Sequence, residues 1–391
     1  MSAEATTDPT SGEFLGLKQL EHSLPATWYY DPAQFALELE RIWYRNWVYL
    51  GRSETISEPG CYRTFTVGTQ PVLVVRDEGG VLRAFFNTCR HRGAMLCPEP
   101  AGRLTAKSIT CPYHAWSYRL NGELARIPSA GRPHHVRTGE TSLYSIPLKD
   151  WKGFLYVNLG DPARGFSDNF NANTETVAHW PLEDLVIGHR LTKRIQCNWK
   201  IFWENYNECL HCPNVHPGLS SLVPIYRRGI MEERDDPKWR EHAANGDPTY
   251  KGGLRADAAT WSVDGHSLGH EFPGLTPEER RIGYHYMTSL PSHYLVAHVD
   301  HVRSSRILPI GPEETELSIE WLFPRETLAD KNVDIQKACA FSAQVMAEDG
   351  AVCELNQRGL HSQRHAHGLL MPEEYDVFRL HQWLRAELNR A

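Results

Sequence analysis

Nowhere in the 391 residues does an apolar run approach the roughly 20 residues that a membrane-crossing helix requires. The start, MSAEATTDPTSGEF, is polar and acidic rather than a signal-peptide core. A cytoplasmic protein with a loose N-terminal tail and no membrane partner is therefore expected. A basic surplus is also missing: 41 Lys and Arg against 48 Asp and Glu leave a formal net charge of −7, with the basic residues scattered. Nucleic acid is not an expected partner of such a surface. No Gly-x-Gly-x-x-Gly follows a strand-like run and no P-loop is present, so a nicotinamide, flavin or nucleotide site is not expected within the chain. Internal repeats and low-complexity tracts are lacking too.

What is present is ordinary in bulk and unusual in detail. Hydrophobic residues at 41% and charged residues at 23% describe a globular protein. The length exceeds the usual domain of about 100–200 residues, so two domains are expected. Nine cysteines form an odd set, accompanied by twenty histidines. In a reducing compartment such thiols serve metals more often than disulfides.

Along the chain, Asp31-Pro32 reads as an N-cap followed by proline at the first helical position. Phe35, Leu39, Ile42, Trp43 and Trp47 then recur at helical spacing. From about Gly51 to Leu159 the pattern becomes short alternating runs such as YRTFTV, PVLVVRD and VLRAFFN, separated by DEGG and LNGE turns. This predicts a small antiparallel β domain closed by one aromatic strand, WKGFLYVNL, with a turn at Asp161, Pro162 and Gly165. Beyond it, LTKRIQCNWK predicts a strand and KIFWENYNECLHC a helix broken at Pro213. Residues 292–302 and 317–323 alternate like strands, 232–276 are polar and irregular, and a long helical pattern begins near Asn332. The expected division is an N-terminal tail and helix over 1–50, a β domain over 51–160, and an α+β domain over 161–391.

Two constellations carry chemistry. In the β domain stand Cys89-x-His91 and Cys111-x-x-His114, each pairing a thiolate with an imidazole in a hairpin-like loop. Cys89 and Cys111 holding one iron while His91 and His114 hold the other is the Rieske arrangement of a [2Fe-2S] cluster. A structural zinc site uses the same donors, but zinc fingers pair Cys with Cys and His with His. Cys97, inside the spacer, reads as a small buried hydrophobe. In the second domain His211 and His216 lie five apart near the expected end of a helix. Two histidines and one carboxylate leave coordination positions open for O2 on a mononuclear iron. Helical periodicity places Asp349 on the face of Phe341, Val345 and Val352, with Glu348 as competitor. Cys209-x-x-Cys212 suggests a redox disulfide, but no thioredoxin-like strand precedes it, so separate thiols are expected.

With the flanking text CRHRG and CPYHAWSY, the chain resembles the Rieske non-haem iron oxygenases. The spacer between the two cluster pairs is somewhat long, and its extra residues, around Pro98 to Leu104, are expected as loop. The resemblance implies an α+β chain: a small antiparallel β Rieske domain, then a catalytic domain whose antiparallel sheet wraps a long helix in the helix-grip manner. It favours Asp349 over Glu348 as the third Fe(II) ligand, because relatives carry Asp four residues before Cys-Glu, here Cys353-Glu354. It also implies a homotrimer in which Glu208 joins His211 to His114 of the adjacent subunit, and an NAD(P)H-dependent reductase as electron donor. Glutamate at this bridge, with ENYNECLHCPNVHP and EDGAVCELNQRG, resembles the branch acting on quaternary ammonium compounds. That branch implies O2-dependent hydroxylation of an N-methyl group and loss of formaldehyde. An aromatic cage of Trp203, Tyr206, Trp261 and Tyr294 is one way to hold such a cation. Three other readings stay open: a Rieske oxygenase of aromatic acids or aryl ethers, a non-catalytic Rieske electron carrier, and a zinc-stabilised interaction protein.

Overall fold

The computed structural model describes residues 13–128, 141–160, 163–166, 173–247 and 249–390. The expected tail over residues 1–12 and the turn at Asp161 and Pro162 lie outside them. The N-terminal helix starts as its sequence requires: the Asp31 carboxylate accepts the Ala33 N–H at 2.8 Å, and Pro32 opens helix Pro32–Glu38. It does not run on to Trp47. The chain passes through a π-turn at Leu39–Trp43 and enters strand Trp47–Arg52, where Trp47 faces Asn158 across the ladder. Helical spacing misled here because Ile42 and Trp43 are buried in the turn, and Trp47 is buried as a strand residue.

Among the described residues the β unit contains three small sheets. The largest runs Ser145–Ile146, Leu82–Phe86, Gln70–Arg76, Cys61–Val67, Ala101–Arg103. Its middle strand carries Val72, Leu73, Val74 and Val75, all fully buried, as expected for a strand covered on both faces. The long spacer is not simply loop: Ala101–Arg103 pairs with Cys61–Arg63 as an edge strand. Nor is WKGFLYVNL one strand. Leu148–Trp151 and Phe154–Asn158 form a hairpin, with Lys152 at φ 47° and Gly153 at φ 85° in the tight turn. Positive φ at both central residues is what a two-residue hairpin demands, and Lys-Gly met that demand inside an apolar run.

The second unit is a five-stranded antiparallel sheet in the order Val186–Ile195, Glu314–Phe323, Val302–Gly311, His293–His298, Tyr284–Ser289. Helix Gln336–Leu360 packs on it. Gly350 faces Ile195 across this contact, and the Tyr294 hydroxyl reaches Met346 Sδ at 3.4 Å. This is the expected α+β architecture with a sheet wrapped on a long helix. The N-terminal helix is pinned to this second unit by a buried ion pair. Lys200 Nζ donates to both Glu38 carboxylate oxygens, at 2.7 and 2.8 Å, and Trp199 Nε1 donates to Glu38 at 2.9 Å. Burial lowers the Lys200 pKa even though Glu38 opposes the shift. Among the described residues no helix is long and apolar enough to cross a membrane.

Candidate metal centres

The first centre is built by two loops with the same backbone wiring. Cys89 N–H donates to Ala94 O at 2.8 Å and Gly93 N–H to Cys89 O at 3.0 Å. In the second loop Cys111 N–H donates to Trp116 O at 2.8 Å and Ala115 N–H to Cys111 O at 3.0 Å. Each loop closes through a left-handed residue four places after its cysteine, Gly93 at φ 76° and Ala115 at φ 54°. Glycine adopts that region freely, whereas a residue with a Cβ does so at a cost of about 1–2 kcal/mol.

The loops bury Cys89 and Cys111 to 4% and 2% exposure and leave His91 and His114 exposed, their rings 4.8 Å apart. His91 stacks on Trp116, and His114 lies tilted against Tyr113. The Tyr118 oxygen accepts the Arg90 N–H at 3.1 Å, so its hydroxyl proton is free to point at Cys89 Sγ, 3.3 Å away. A hydrogen bond to a ligating sulfur raises the potential of a cluster. Two inward thiols and two outward imidazoles on matched loops fit a two-iron cluster with unlike ends. Cys97 is buried beside them and its thiol pKa is pushed up to about 11 by burial, as befits an inert core residue.

The second centre joins a turn to a helix more than a hundred residues later. Helix Trp199–Tyr206, capped by Asn198, stops before Glu208 instead of running on to Pro213, which opens the short helix Cys212–Val215. The turn is held by Glu208, which accepts the backbone N–H of Leu210 and the Nδ1–H of His211 at 2.6 Å. Glu208 and His211 thus meet across a turn rather than on a helical face. The same turn brings Cys209 and Cys212 within 4.9 Å at Cα, and they are joined as a disulfide, not held as separate thiols. The tight Cys212 N–H to Cys209 O bond, at 3.0 Å, makes the two side chains converge.

His211, His216 and Asp349 each present a ligand atom, all within 4.8 Å of one another. Asp349 Oδ1 lies 2.9 Å from His216 Nε2 and 3.5 Å from His211 Nε2. Glu348 instead meets the other nitrogen of His216, Nδ1, at 2.8 Å, the position of a carboxylate that orients a ligand. Burial raises the Asp349 pKa, but its bonds to His211 and His216 outweigh this and lower it overall. Burial likewise lowers the His211 pKa, and the bonds to Asp349 and Glu208 overcome this and lift it to about 9. A carboxylate and two histidines drawn together in a buried pocket fit one divalent ion with a face left open.

Tyr206, Trp261 and Tyr294 line the cavity beside this triad, with Phe202, Tyr226, Tyr286 and Arg303. Trp203 does not; it is core, donating from Nε1 to Pro291 O at 2.7 Å. Tyr226, Tyr286 and Arg303 escaped the sequence reading. Tyr284 and Tyr286, two apart on a strand and hence on one face, were a usable signal.

Residues 46–147 match the Rieske [2Fe-2S] domain, and residues 182–389, over half of the chain, match the catalytic domain of the ring hydroxylating alpha subunits. The chain therefore belongs to the Rieske non-haem iron oxygenases, enzymes that use a [2Fe-2S] cluster and a mononuclear iron. It is 28% identical to the glycine betaine monooxygenase oxygenase subunit of Chromohalobacter salexigens, over 92% of this chain and 83% of that one. It is also 28% identical to the chloroplastic choline monooxygenase of Beta vulgaris, over 93% and 77% respectively. The crystal structure of the quaternary ammonium Rieske monooxygenase CntA with gamma-butyrobetaine superposes with a TM-score of 0.72 at 20% identity. It covers 98% of this chain and all of that one, and shares its fold.

Proposed function

We propose that this chain is the oxygenase component of a monooxygenase that demethylates a quaternary ammonium compound. In this reading Cys89 and Cys111 hold one cluster iron, His91 and His114 the other, and His211, His216 and Asp349 hold the catalytic Fe(II). The observation that carries the substrate class is the ring of Tyr206, Tyr226, Tyr286, Tyr294 and Trp261 around the cavity that the triad enters. Aromatic faces attract a cation that cannot donate hydrogen bonds, which is the property of a trimethylammonium group. The names of the relatives point the same way.

Held by these residues, the cluster would supply electrons singly and the iron would activate O2. The protein's own groups position the reaction: Glu348 orients His216, Glu208 orients His211, and the aromatic wall limits water. One oxygen atom enters an N-methyl C–H bond, and the other leaves as water with two electrons and two protons. The hydroxymethyl ammonium then breaks at its C–N bond, the electron pair remaining on nitrogen, releasing formaldehyde and a proton.

The exposure of His91 and His114 suits electron passage between copies, with Glu208 as the bridge to His114 of a neighbouring copy in a homotrimer. Electrons come from a separate NAD(P)H-dependent reductase. The division into 1–50, 51–160 and 161–391 stands as the proposed domain plan. The test measures iron and acid-labile sulfide per chain, then formaldehyde from glycine betaine, carnitine and an aryl methyl ether with a surrogate reductase. Three irons, two sulfides and formaldehyde from the ammonium compounds are expected. Turnover of the ether alone would transfer the protein to the aromatic branch.

A further inference from the structure

Among the described residues lining the cavity, one is an arginine or lysine: Arg303, from strand Val302–Gly311. It is 3% exposed, and neither Nε nor Nη1 has a hydrogen-bond partner among the described residues. Its guanidinium carbon lies 5.4 Å from the ring centroid of Trp261. Two neighbouring donors in the same wall, Trp261 Nε1 and the Tyr206 hydroxyl, are buried and unpartnered as well. The carboxylates of that cavity are committed elsewhere, Glu208 to His211 at 2.6 Å and Asp349 to His216 at 2.9 Å. The charge of Arg303 is felt across the space, where it lowers the phenol pKa values of Tyr206, Tyr286 and Tyr294 against the larger upward push of burial.

A buried guanidinium without a counter-charge is costly, and its planar fork suits a carboxylate taken up from outside. It also repels a simple cation. We infer that Arg303 binds the carboxylate of the substrate, so that the chain accepts zwitterionic ammonium carboxylates and rejects purely cationic amino alcohols. The inference rests on the reading of this cavity as a quaternary ammonium chamber. The ammonium end then lies against the tyrosine wall and the carboxylate end against Arg303, a two-ended fit that orients the methyl groups. Sites built to hydrogen-bond a polar group reject analogues lacking it by large factors.

The experiment is calorimetric titration of the anaerobic holoenzyme with glycine betaine, choline and benzoate, for the native chain, Arg303→Met and Arg303→Lys. Retained cluster absorbance checks that each variant is folded. Glycine betaine is expected to bind the native chain about a hundredfold or more tighter than choline. Arg303→Met should erase that preference by weakening betaine alone, and Arg303→Lys should restore part of it. Benzoate binding lost in Arg303→Met, with neither ammonium compound bound, would keep the carboxylate site and remove the ammonium reading. Choline binding as tightly as betaine to the native chain, or an unchanged ratio in Arg303→Met, would overturn the inference while leaving the ammonium reading standing.

Discussion

The two metal centres hold similar donors by opposite means. Each cluster loop is a closed local circuit: a cysteine whose N–H and C=O are satisfied by residues five and four places on, respectively, in both loops alike. The triad has no such circuit. His211 leaves a turn held by Glu208, His216 the end of the short helix Cys212–Val215, and Asp349 arrives from a helix whose rotation is set by packing on the sheet. A local circuit survives remote change, whereas a centre assembled across the fold depends on everything that positions its parts.

That contrast can be broken first at the ligands. His211→Ala is expected to lower substrate oxidation about a thousandfold or more, since it removes the open iron site, while the cluster spectrum stays intact. Cys111→Ser should do the reverse, losing visible absorbance while one Fe(II) per chain still binds at the triad. Loss of both metals in either variant would mean that the centres are not independently built. Glu208→Gln comes next. With both metals bound, coupled turnover should drop by about two orders of magnitude through misplacement of His211 and, if Glu208 bridges the copies as proposed, loss of that path. Near-normal turnover would remove Glu208 from the electron path. Glu348→Gln probes the orienting carboxylate and should weaken Fe(II) binding about 10–100-fold, well short of the loss expected for Asp349→Asn. Equal losses in the two variants would make Glu348 a ligand.

The smallest effect is in pH. In iron-free protein the His211 pKa is raised from 6.5 to about 9, with burial opposing and Asp349 and Glu208 driving the shift. Its stabilisation of the fold is therefore complete below pH 6.5 and is lost as pH rises through 9. Fe(II) needs the neutral ring, so iron uptake should strengthen across the same window. Titrations of stripped protein that show a flat affinity between those limits would rule out proton competition at His211.

Where short motifs closed on themselves, the sequence was readable: the Cys-x-His and Cys-x-x-His loops, the Asp31 cap, the valine-rich strand at 72–75. Where an apolar pattern served two structures, it was not. Trp47 kept helical spacing but lies in a strand, and the aromatic run from Trp151 hides a Lys-Gly hairpin. Cys209 and Cys212 looked like separate thiols until helix termination at Tyr206 folded them together.

The sequence alone determined the family and the order of a β unit before an α+β unit, and it offered the two donor sets that the proposed function uses. These follow from spacing over a few residues, which backbone hydrogen bonds convert directly into geometry. Only the tertiary structure decided which of Glu348 and Asp349 faces both histidines, because neighbours on a helix differ by about 100° in direction and packing sets the zero of that rotation. It alone also brought Arg303 into the cavity with Nε and Nη1 lacking hydrogen-bond partners among the described residues, since strand register decides which side of a sheet a residue faces and what it meets there.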